Sequence, residues 1–578
     1  MSEDLHGLVF KPLAAILVVC GVLFSSVAVA QTAGQIAQPS YAPPMAHQAG
    51  RGLFVAAGTG QKAPEGAEAL FVTPSGLVVE GGLPELAGET ASIEARLKGK
   101  RVSAADLFAA AADLEAAYAR AGYLLARVSL PKQTIVDGAR LKLVVTDGYI
   151  AAVDTSALPD NVARRVKAVL IPIIGKHWPT RRDLERSLLL AGDTPGVVLR
   201  STLKAGAEPG QTLVVLDGAY ESVTAFAAFD NAVSDPLGGY AANFGVDFNN
   251  LLGLGEVVYA RLSGFLGFGD QGIVSNDPRN RQIAGGVTVP LGANGLWLNL
   301  EGIESRTHPT SSLSYTIPDV YQRLSARLGY DWLRGRDVNL SSTLGLDLVT
   351  ENQAFDIAGL RSPFTSDVLR VLRLGLSGDG YDPSGGHVTG RAAASFGLDA
   401  FGARQPTASL PLSRDGAGPD FIRLDASLSY VKSFHNRLEL LLRTKAQTSF
   451  GKPLPASEQI GLTGSDYLSG FASGAIQGDS GAVVRGELRY PIAVPLMPDF
   501  NGVAVPYVFA AAGISGLEQP TAVERAVTTA TSFGAGIRFG LSKRASPKAT
   551  SLALEYAHGD ATGTDGQERL NFSVSTQF

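Results

Sequence analysis

The stretch Leu296-Trp297-Leu298-Asn299-Leu300-Glu301 carries a period of two: its leucines fall on one face of an extended strand, opposite Asn299 and Glu301. The pattern recurs between residues 438 and 447 and again between residues 552 and 556. Its apolar members there are Leu438, Leu440, Leu442, Ala446, Leu552, Leu554 and Tyr556, and they oppose Glu439, Arg443, Lys445, Gln447 and Glu555. From about residue 218 onward, this alternation replaces helical periodicity.

Two all-β architectures share this period. A membrane barrel has an apolar face against lipid and a charged face around a wet lumen, whereas a soluble sandwich turns its apolar face inward. The last strand favours the membrane barrel, because an apolar face ending in an aromatic resembles the signal read by barrel-assembly machinery. That face carries Leu570, Phe572, Val574 and Phe578. Residues 218–578 would accommodate sixteen antiparallel strands at roughly 22 residues per strand and connection.

The first 30 residues have the features of a secretory signal peptide. Lys11 precedes an apolar core, and Ala28-Val29-Ala30 fits the small-x-small cleavage pattern, so Gln31 is the expected mature N-terminus. A lipoprotein signal ending at Cys20 fits less well, because a small residue normally precedes that cysteine. Cleavage after Ala30 removes Cys20, the only cysteine, so the mature protein is expected to have no disulfide.

Composition excludes several classes of protein. The net charge of −5 gives no electrostatic reason to expect a nucleic acid partner. Beyond the signal, the chain has no apolar run of 18 residues, which excludes helical membrane spans. We find no nucleophile motif and no metal-ligand spacing among the seven histidines. We therefore expect no catalytic residues, no cofactor and no metal.

Two small α+β modules are expected before the barrel. Residues 31–66 are rich in Pro, Gly, Ala and Gln and predict an extension or linker. In residues 67–149, Ser103 caps a helix with Asp106 three positions on, Gly122 ends it, and strands follow at 123–130 and 141–145. Residues 150–217 repeat the theme, with helices after Asn161 and Thr180 and strands at 197–203 and 212–216.

The segment Gly122 to Gln133, GYLLARVSLPKQ, carries a family resemblance. It resembles the first POTRA domain of the two-partner secretion transporters of the ShlB/FhaC/HecB (TpsB) family, within the BamA-like superfamily. Leu184 to Leu216 is similar to their second POTRA domain. The resemblance implies a fold of α+β plus all-β: POTRA 1 at 67–149, POTRA 2 at 150–217, and a sixteen-stranded transmembrane barrel at 218–578.

The family also carries a V-R-G-[FY] motif at the tip of loop six, which folds back into the lumen. Val484-Arg485-Gly486 matches three letters but abuts Glu487-Leu488, where the family has a strand. Leu468-Ser469-Gly470-Phe471 lies at the right distance from Glu487, so we align it with the motif. Ser469 then replaces the arginine.

The partner of that arginine is also missing on this alignment. The family's F-x-D-x-G wall strand corresponds to Phe509-Ala510-Ala511-Ala512-Gly513, with Ala511 in place of the acid. Losing both partners of a buried ion pair is nearly neutral, whereas losing one costs about 3–5 kcal/mol. We therefore expect the loop to insert through Phe471 and backbone contacts, without a salt bridge. Ser469→Arg should then impair secretion, and adding Ala511→Asp should restore it.

The resemblance implies a transporter of the outer membrane with POTRA domains in the periplasm, whose partner is an unfolded secreted TpsA-type exoprotein, such as a haemolysin or adhesin. Strand addition to a POTRA sheet edge would capture the cargo, with Tyr123, Pro131 and Gln133 as candidate docking residues. Other implied partners are barrel-assembly machinery, periplasmic chaperones, and outer-membrane lipid and lipopolysaccharide. Family members often carry an N-terminal plug helix, but residues 31–66 show no helical pattern. Alternatives are a BamA- or TamA-type assembly factor and, with less support, a passive porin or receptor.

Overall fold

The computed structural model describes residues 31–43, 61–267, 269, 271–495, 500–543 and 548–578. The predicted signal peptide and residues 44–60 of the predicted linker lie outside these ranges. Within them, no helix is both long and apolar enough to cross a membrane. The described chain forms a short N-terminal segment, two small α+β domains and a closed β-barrel.

The first small domain spans residues 71–146 and packs two helices on a three-stranded sheet. A single helical turn, α1 (Ala33–Ile36), precedes it in the chain. The domain consists of β1 (Phe71–Val72), β2 (Gly76–Glu80), α2 (Ala87–Leu97), β3 (Val102–Ser103), α3 (Ala104–Arg120), β4 (Arg127–Ser129) and β5 (Arg140–Thr146). The sheet order is β2-β5-β4, with β2 parallel and β4 antiparallel to β5. Leu107, Leu114 and Tyr118 of α3 are buried against this sheet.

The predicted cap of α3 is present. The Ser103 hydroxyl accepts from the Asp106 N–H at 3.2 Å, and the Asp106 carboxylate accepts from the Ser103 N–H at 2.8 Å. This capping box satisfies two N–H groups that otherwise have no partner within the helix. Gly122, which follows the helix, has a φ of +101°, as a helix-ending glycine commonly does.

Replacing Ser103 with alanine is expected to destabilise the first small domain by about 1 kcal/mol, because the Asp106 N–H loses its acceptor. Hydrogen exchange of the first-turn amides of α3 measures the effect. The matched control is Ser92→Ala, at an exposed position inside α2, where alanine is the better helix former. Equal exchange rates in both variants would show that the cap contributes nothing.

The second small domain repeats this arrangement. It consists of β6 (Tyr149–Asp154), α4 (Asp160–Leu170), α5 (Arg181–Gly192), β7 (Val197–Ala205) and β8 (Gln211–Tyr220), with sheet order β6-β8-β7. Thr180 caps α5 through a second capping box with Asp183. The domain therefore begins at Tyr149 and ends at Tyr220, slightly outside the predicted limits of 150 and 217. Strand ends are hard to predict here because β8 leads into the barrel after only Glu221 and Ser222.

In the described residues, sixteen antiparallel strands close the barrel when β22 (Ser480–Arg489) and β23 (Ile492–Val494), which both pair with β24 (Phe500–Gly516), are counted as one interrupted strand. Its first half consists of β9 (Val223–Asp230), β10 (Ala241–Asn249), β11 (Val257–Gly264), β12 (Asn280–Pro290), β13 (Leu296–Thr307), β14 (Asp319–Arg334), β15 (Val338–Ile357) and β16 (Leu360–Tyr381). Its second half consists of β17 (His387–Gly397), β18 (Ile422–Ser433), β19 (Glu439–Thr448), β22 (Ser480–Arg489), β23 (Ile492–Val494), β24 (Phe500–Gly516), β25 (Val527–Lys543), β26 (Ala549–Ala561) and β27 (Thr564–Gln577). Two short strands, β20 (Ile460–Gly461) and β21 (Gln477–Gly478), pair with each other in the loop after β19.

The predicted alternation separates the two faces of the barrel wall. On β13, Leu300 is 45% exposed on the outside, whereas Asn299 and Glu301 are each 1% exposed on the inside. The four residues of the predicted assembly signal, Leu570, Phe572, Val574 and Phe578, are all exposed on the outer face. β27 closes the barrel by pairing with β9 from Ser573–Asp230 to Gln577–Phe226. An apolar exterior around a polar interior is the membrane-barrel arrangement.

The second small domain is docked on the barrel. The Arg334 guanidinium, at the end of β14, forms a two-bond ion pair of 2.7 and 2.6 Å with the Asp193 carboxylate. Arg186 of α5 donates to the carbonyls of Asn294 and Asp331, both at 2.7 Å. The barrel end that contacts the second small domain is called the proximal end. Loops at the opposite, distal end include the 449–479 connection, the sixth of that end, called loop six below.

Several predicted elements of the small domains are corrected by the structure. The strand predicted at 123–130 shrinks to Arg127–Ser129, since Tyr123 and Ala126 are joined by a turn hydrogen bond. β2 and α2 were not predicted, because their sequence mixes polar and apolar residues without a clear period. The N-terminal segment contains the helical turn α1, although no helix was expected there. One turn is too short to produce a periodic signal.

The barrel lumen as candidate functional site

Loop six folds back into the barrel. Its tip, Leu468-Ser469-Gly470-Phe471, is buried, and Leu468 and Ser469 are fully so. Leu468 and Phe471 pack with Ala511 of β24 and Ala530 of β25. The aligned wall strand therefore does face the tip. Gly513, two residues beyond Ala511, lies where an added Cβ would be 3.3 Å from the Leu462 side chain of loop six.

Two glycines allow the tip to reach the wall. A Cβ at Gly470 would lie 2.6 Å from the Gly559 backbone nitrogen, and a Cβ at Gly559 would lie 2.7 Å from the Phe471 ring. Contacts this short are not tolerated, so both positions need glycine. The Gly470 N–H also donates to the Ser532 hydroxyl at 2.9 Å, and the Asn571 side chain donates to the Ser469 carbonyl at 2.8 Å.

A buried arginine does hold the tip, but it comes from the wall. Arg485 lies on β22 and is 0% exposed. Its guanidinium donates to the Ser469 hydroxyl at 2.9 Å and to the Tyr467 carbonyl at 3.2 Å. Because Ser469 is neutral, this contact between the loop tip and the wall is a hydrogen bond rather than a salt bridge, and its arginine belongs to the wall strand.

Two wall carboxylates balance the charge of Arg485. Its guanidinium lies 2.8 Å from Glu487 and 2.5 Å from Glu555. The guanidinium carbon also lies 3.6 Å from the Phe509 ring centroid, a cation–π contact. Glu487 is shared with Arg489 and Arg538. The result is a network of charges on the wall with the loop tip bound to its centre.

A second network holds the first part of loop six. Glu458, 2% exposed, lies 2.6 Å from both Arg373 of β16 and Arg423 of β18. Arg373 also pairs with Asp347 of β15 at 2.6 Å. Because these buried charges are mutually paired, the lumen holds the loop by polar contacts as well as by packing.

The N-terminal segment, residues 31–43, also lies inside the barrel. The Thr32 hydroxyl and the Gly34 N–H donate to Glu351 at 2.8 and 2.9 Å, and the Ala33 N–H donates to Asp319 at 2.8 Å. A Cβ at Gly34 would lie 2.7 Å from the Ser457 Cβ, so the segment also touches loop six. Two segments of the chain thus fill the lumen together.

The predicted docking residues of the first small domain have internal partners. The Gln133 amide donates to the Lys142 carbonyl at 2.7 Å and accepts from its N–H at 2.9 Å, so it extends the β4–β5 ladder. The Tyr123 ring packs against Trp178 of the second small domain. Its hydroxyl donates to Glu85, and this bond raises the pKa of Tyr123. Pro131 is half-buried in the turn after β4.

Sequence reasoning missed the luminal residues that bind the N-terminal segment. Asp319, Arg323 and Arg327 fall on the inner face of β14 at even spacings, and this alternation of charge was the available signal. Arg485 was considered only as a loop residue. Its neighbours Glu487 and Arg489 at even spacings mark a charged inner face, which identifies a wall strand.

Family models match two regions of the chain. Residues 210–539 match the haemolysin secretion/activation protein ShlB/FhaC/HecB, which is more than half of the chain. Residues 75–148 match the ShlB-type POTRA domain and coincide with the first small domain.

Relatives and solved structures agree with these matches. The outer membrane transporter CdiB of Escherichia coli is 25% identical over 456 residues, covering 76% of this chain and 72% of CdiB. The heme/hemopexin transporter protein HuxB of Haemophilus influenzae (strain 86-028NP) is 27% identical over 172 residues, 29% of this chain and 30% of HuxB.

Among solved structures, CdiB from Escherichia coli superposes with a TM-score of 0.67 at 20% identity, covering 91% of this chain and 94% of that one. CdiB from Acinetobacter baumannii superposes with a TM-score of 0.57 at 14% identity, covering 98% of this chain and 97% of that one. These matches share the fold of barrel and small domains. The barrel lies in the outer membrane, and the small domains lie in the periplasm at its proximal end. The chain belongs to the haemolysin secretion/activation protein ShlB/FhaC/HecB family, the outer-membrane transporters of two-partner secretion.

Proposed function

We propose that this chain captures an unfolded exoprotein in the periplasm and passes it through its barrel to the cell surface. The cargo is a TpsA-type protein, and its folding outside the cell drives export without ATP. Barrel-assembly machinery and periplasmic chaperones would insert the chain among outer-membrane lipid and lipopolysaccharide.

The supporting observation is a lumen occupied by two peptide segments rather than by a packed core. The N-terminal segment is held mainly by hydrogen bonds to wall carboxylates and arginines. Such bonds can be exchanged for bonds to water or to another chain at a small net cost. A barrel filled in this way can be emptied for a polypeptide in transit without unfolding its wall.

Capture is proposed to occur by strand addition in the periplasm. On the first small domain, side chains cover part of both sheet edges: Glu94 accepts from the Leu77 N–H at 3.1 Å, and Glu115 accepts from the Val128 N–H at 2.9 Å. β7 of the second small domain is a nine-residue outer strand. We propose β7 as the main docking edge, with Tyr123, Pro131 and Gln133 as further candidate docking residues on the first small domain.

Proteoliposomes test this function. The purified chain is reconstituted, and its labelled, urea-unfolded TpsA-type partner is added from the side of the small domains without ATP. A protease-protected fraction well above that of empty liposomes is expected. Cargo that has been allowed to fold first should gain no protection and serves as the control. Protection equal to that of empty liposomes would contradict the proposal, whereas insertion of other barrel proteins instead would favour an assembly factor.

A further inference from the structure

The lumen binds the N-terminal segment largely by its main chain. Three backbone N–H groups donate to wall carboxylates: Ala33 to Asp319, Gly34 to Glu351, and Tyr41 to Glu301, at 2.8, 2.9 and 2.8 Å. Main-chain N–H groups are present in every residue except proline. The Tyr41 contact therefore does not depend on the side chain at that position, whereas the Gly34 contact requires glycine, because a Cβ there would lie 2.5 Å from the Glu351 carboxylate.

The carbonyl groups are bound in a complementary way. Arg323 donates to the Gln38 carbonyl at 2.9 Å, and Arg327 donates to the Pro39 carbonyl at 2.7 Å. Both arginines also contact Glu301, at 3.0 and 3.2 Å. These pairs orient the side chains, so the wall presents fixed acceptors for N–H groups beside fixed donors for carbonyls.

Side chains of the segment contribute less. Thr32, Ser40 and Tyr41 hydrogen-bond to Glu351, Glu301 and Gln282. Packing on the wall comes mainly from Ala33 and Ala37, which are small. The Gln38 and Pro39 side chains are exposed in the lumen although their carbonyls are bound. Between Gln38 and Tyr41 recognition is thus mostly recognition of the backbone, whereas Ala33 and Gly34 are bound as the first residues of the helical turn α1.

We propose that three wall residues, Glu301, Arg323 and Arg327, form a main-chain track that binds an extended polypeptide of almost any sequence. The N-terminal segment is its resident occupant, and a chain in transit would occupy the same track once the segment leaves. This inference rests on the proposed transport function and adds the chemical basis by which one pore accepts a long, varied sequence.

The test uses the full chain with its N-terminal segment displaced from the barrel lumen. Gly34→Val should unseat it, because a Cβ there would lie 2.5 Å from the Glu351 carboxylate and 2.7 Å from the Ser457 Cβ. In planar bilayers this variant should conduct several-fold more current than the parent. Ile36→Val, in the same helical turn and outside these contacts, should conduct like the parent.

Two synthetic decapeptides are then compared as blockers of the Gly34→Val pore. The first has the sequence of residues 32–41 with alanine in place of Thr32, Ser40 and Tyr41. The second is identical but N-methylated at the position of Tyr41, whose N–H donates to Glu301. We expect the first to block the current and the second to need at least tenfold more peptide.

Equal block by both peptides would overturn the main-chain track. So would block by the native sequence alone, which would show side-chain recognition, or a Gly34→Val pore that conducts no more than the parent. None of these readouts needs the exoprotein. The two proposals can therefore fail separately. If only the proposed function is wrong, the peptides block as expected but the exoprotein is not translocated.

Discussion

Replacing Arg485 with methionine is expected to lower the free energy of unfolding of the barrel by about 3–5 kcal/mol. The guanidinium is 0% exposed, and it neutralises Glu555 while it holds the Ser469 hydroxyl of the loop tip. Methionine fills similar volume but leaves the buried Glu555 without this cation and releases the tip. The loss should therefore affect both barrel stability and loop position.

Urea unfolding in detergent, followed by the heat-modifiable mobility of the barrel on gels, measures the stability change. Arg443→Met is the matched control, since Arg443 also binds loop six, through Asp466 at 2.6 Å, but in an exposed pair. That pair is worth about 0–1 kcal/mol. An equal decrease in the free energy of unfolding in the two variants would mean that burial of the Arg485 network does not stabilise the barrel.

Ser469→Arg is expected to be at least as damaging. Ser469 is fully buried and already accepts from Arg485, so a second cation would face the first at close range without a carboxylate of its own. We expect loss of the inserted loop, seen as protease cleavage within residues 454–478, and reduced secretion. An inserted, protease-resistant loop in this variant would contradict the account.

Two second substitutions in the Ser469→Arg variant distinguish which wall residue holds the loop tip. The exchange Ser469→Arg with Arg485→Ser moves the single cation from wall to tip, beside Glu555, and should recover most of the protease resistance. Adding Ala511→Asp instead keeps both cations and adds one carboxylate on β24, directly across from Arg485. It should rescue less well. Better rescue by Ala511→Asp would favour the loop-to-wall pairing expected from sequence.

Much of the architecture was predictable because it follows from periodicity. The alternation at Leu296 to Glu301 became a wall strand with Leu300 outside and Glu301 inside. The predicted cap at Ser103 and the predicted helix start after Thr180 both appear as capping boxes. Local patterns of this kind depend on whether each face contacts lipid, water or the protein core, so they can be recognised from the order of apolar and polar residues.

The luminal contacts were not predictable in the same way. Arg485 and Glu555 are 70 residues apart in the chain, and only closure of the barrel brings them together. Likewise, the N-terminal segment has a helix of only four residues, and its contacts to the wall form only in the folded barrel. The pairing inferred from a family motif did not include Arg485, which contacts the tip from the wall by a hydrogen bond to Ser469.

The most direct measurement is the amount of partner exoprotein on the cell surface with and without this chain. A strain lacking the gene should lose the surface exoprotein, and the intact gene should restore it, while the exoprotein remains detectable in the periplasm of the deleted strain. Other outer-membrane barrels should be unaffected. Surface exoprotein at the parental level in the deleted strain would contradict the account of this chain as its transporter.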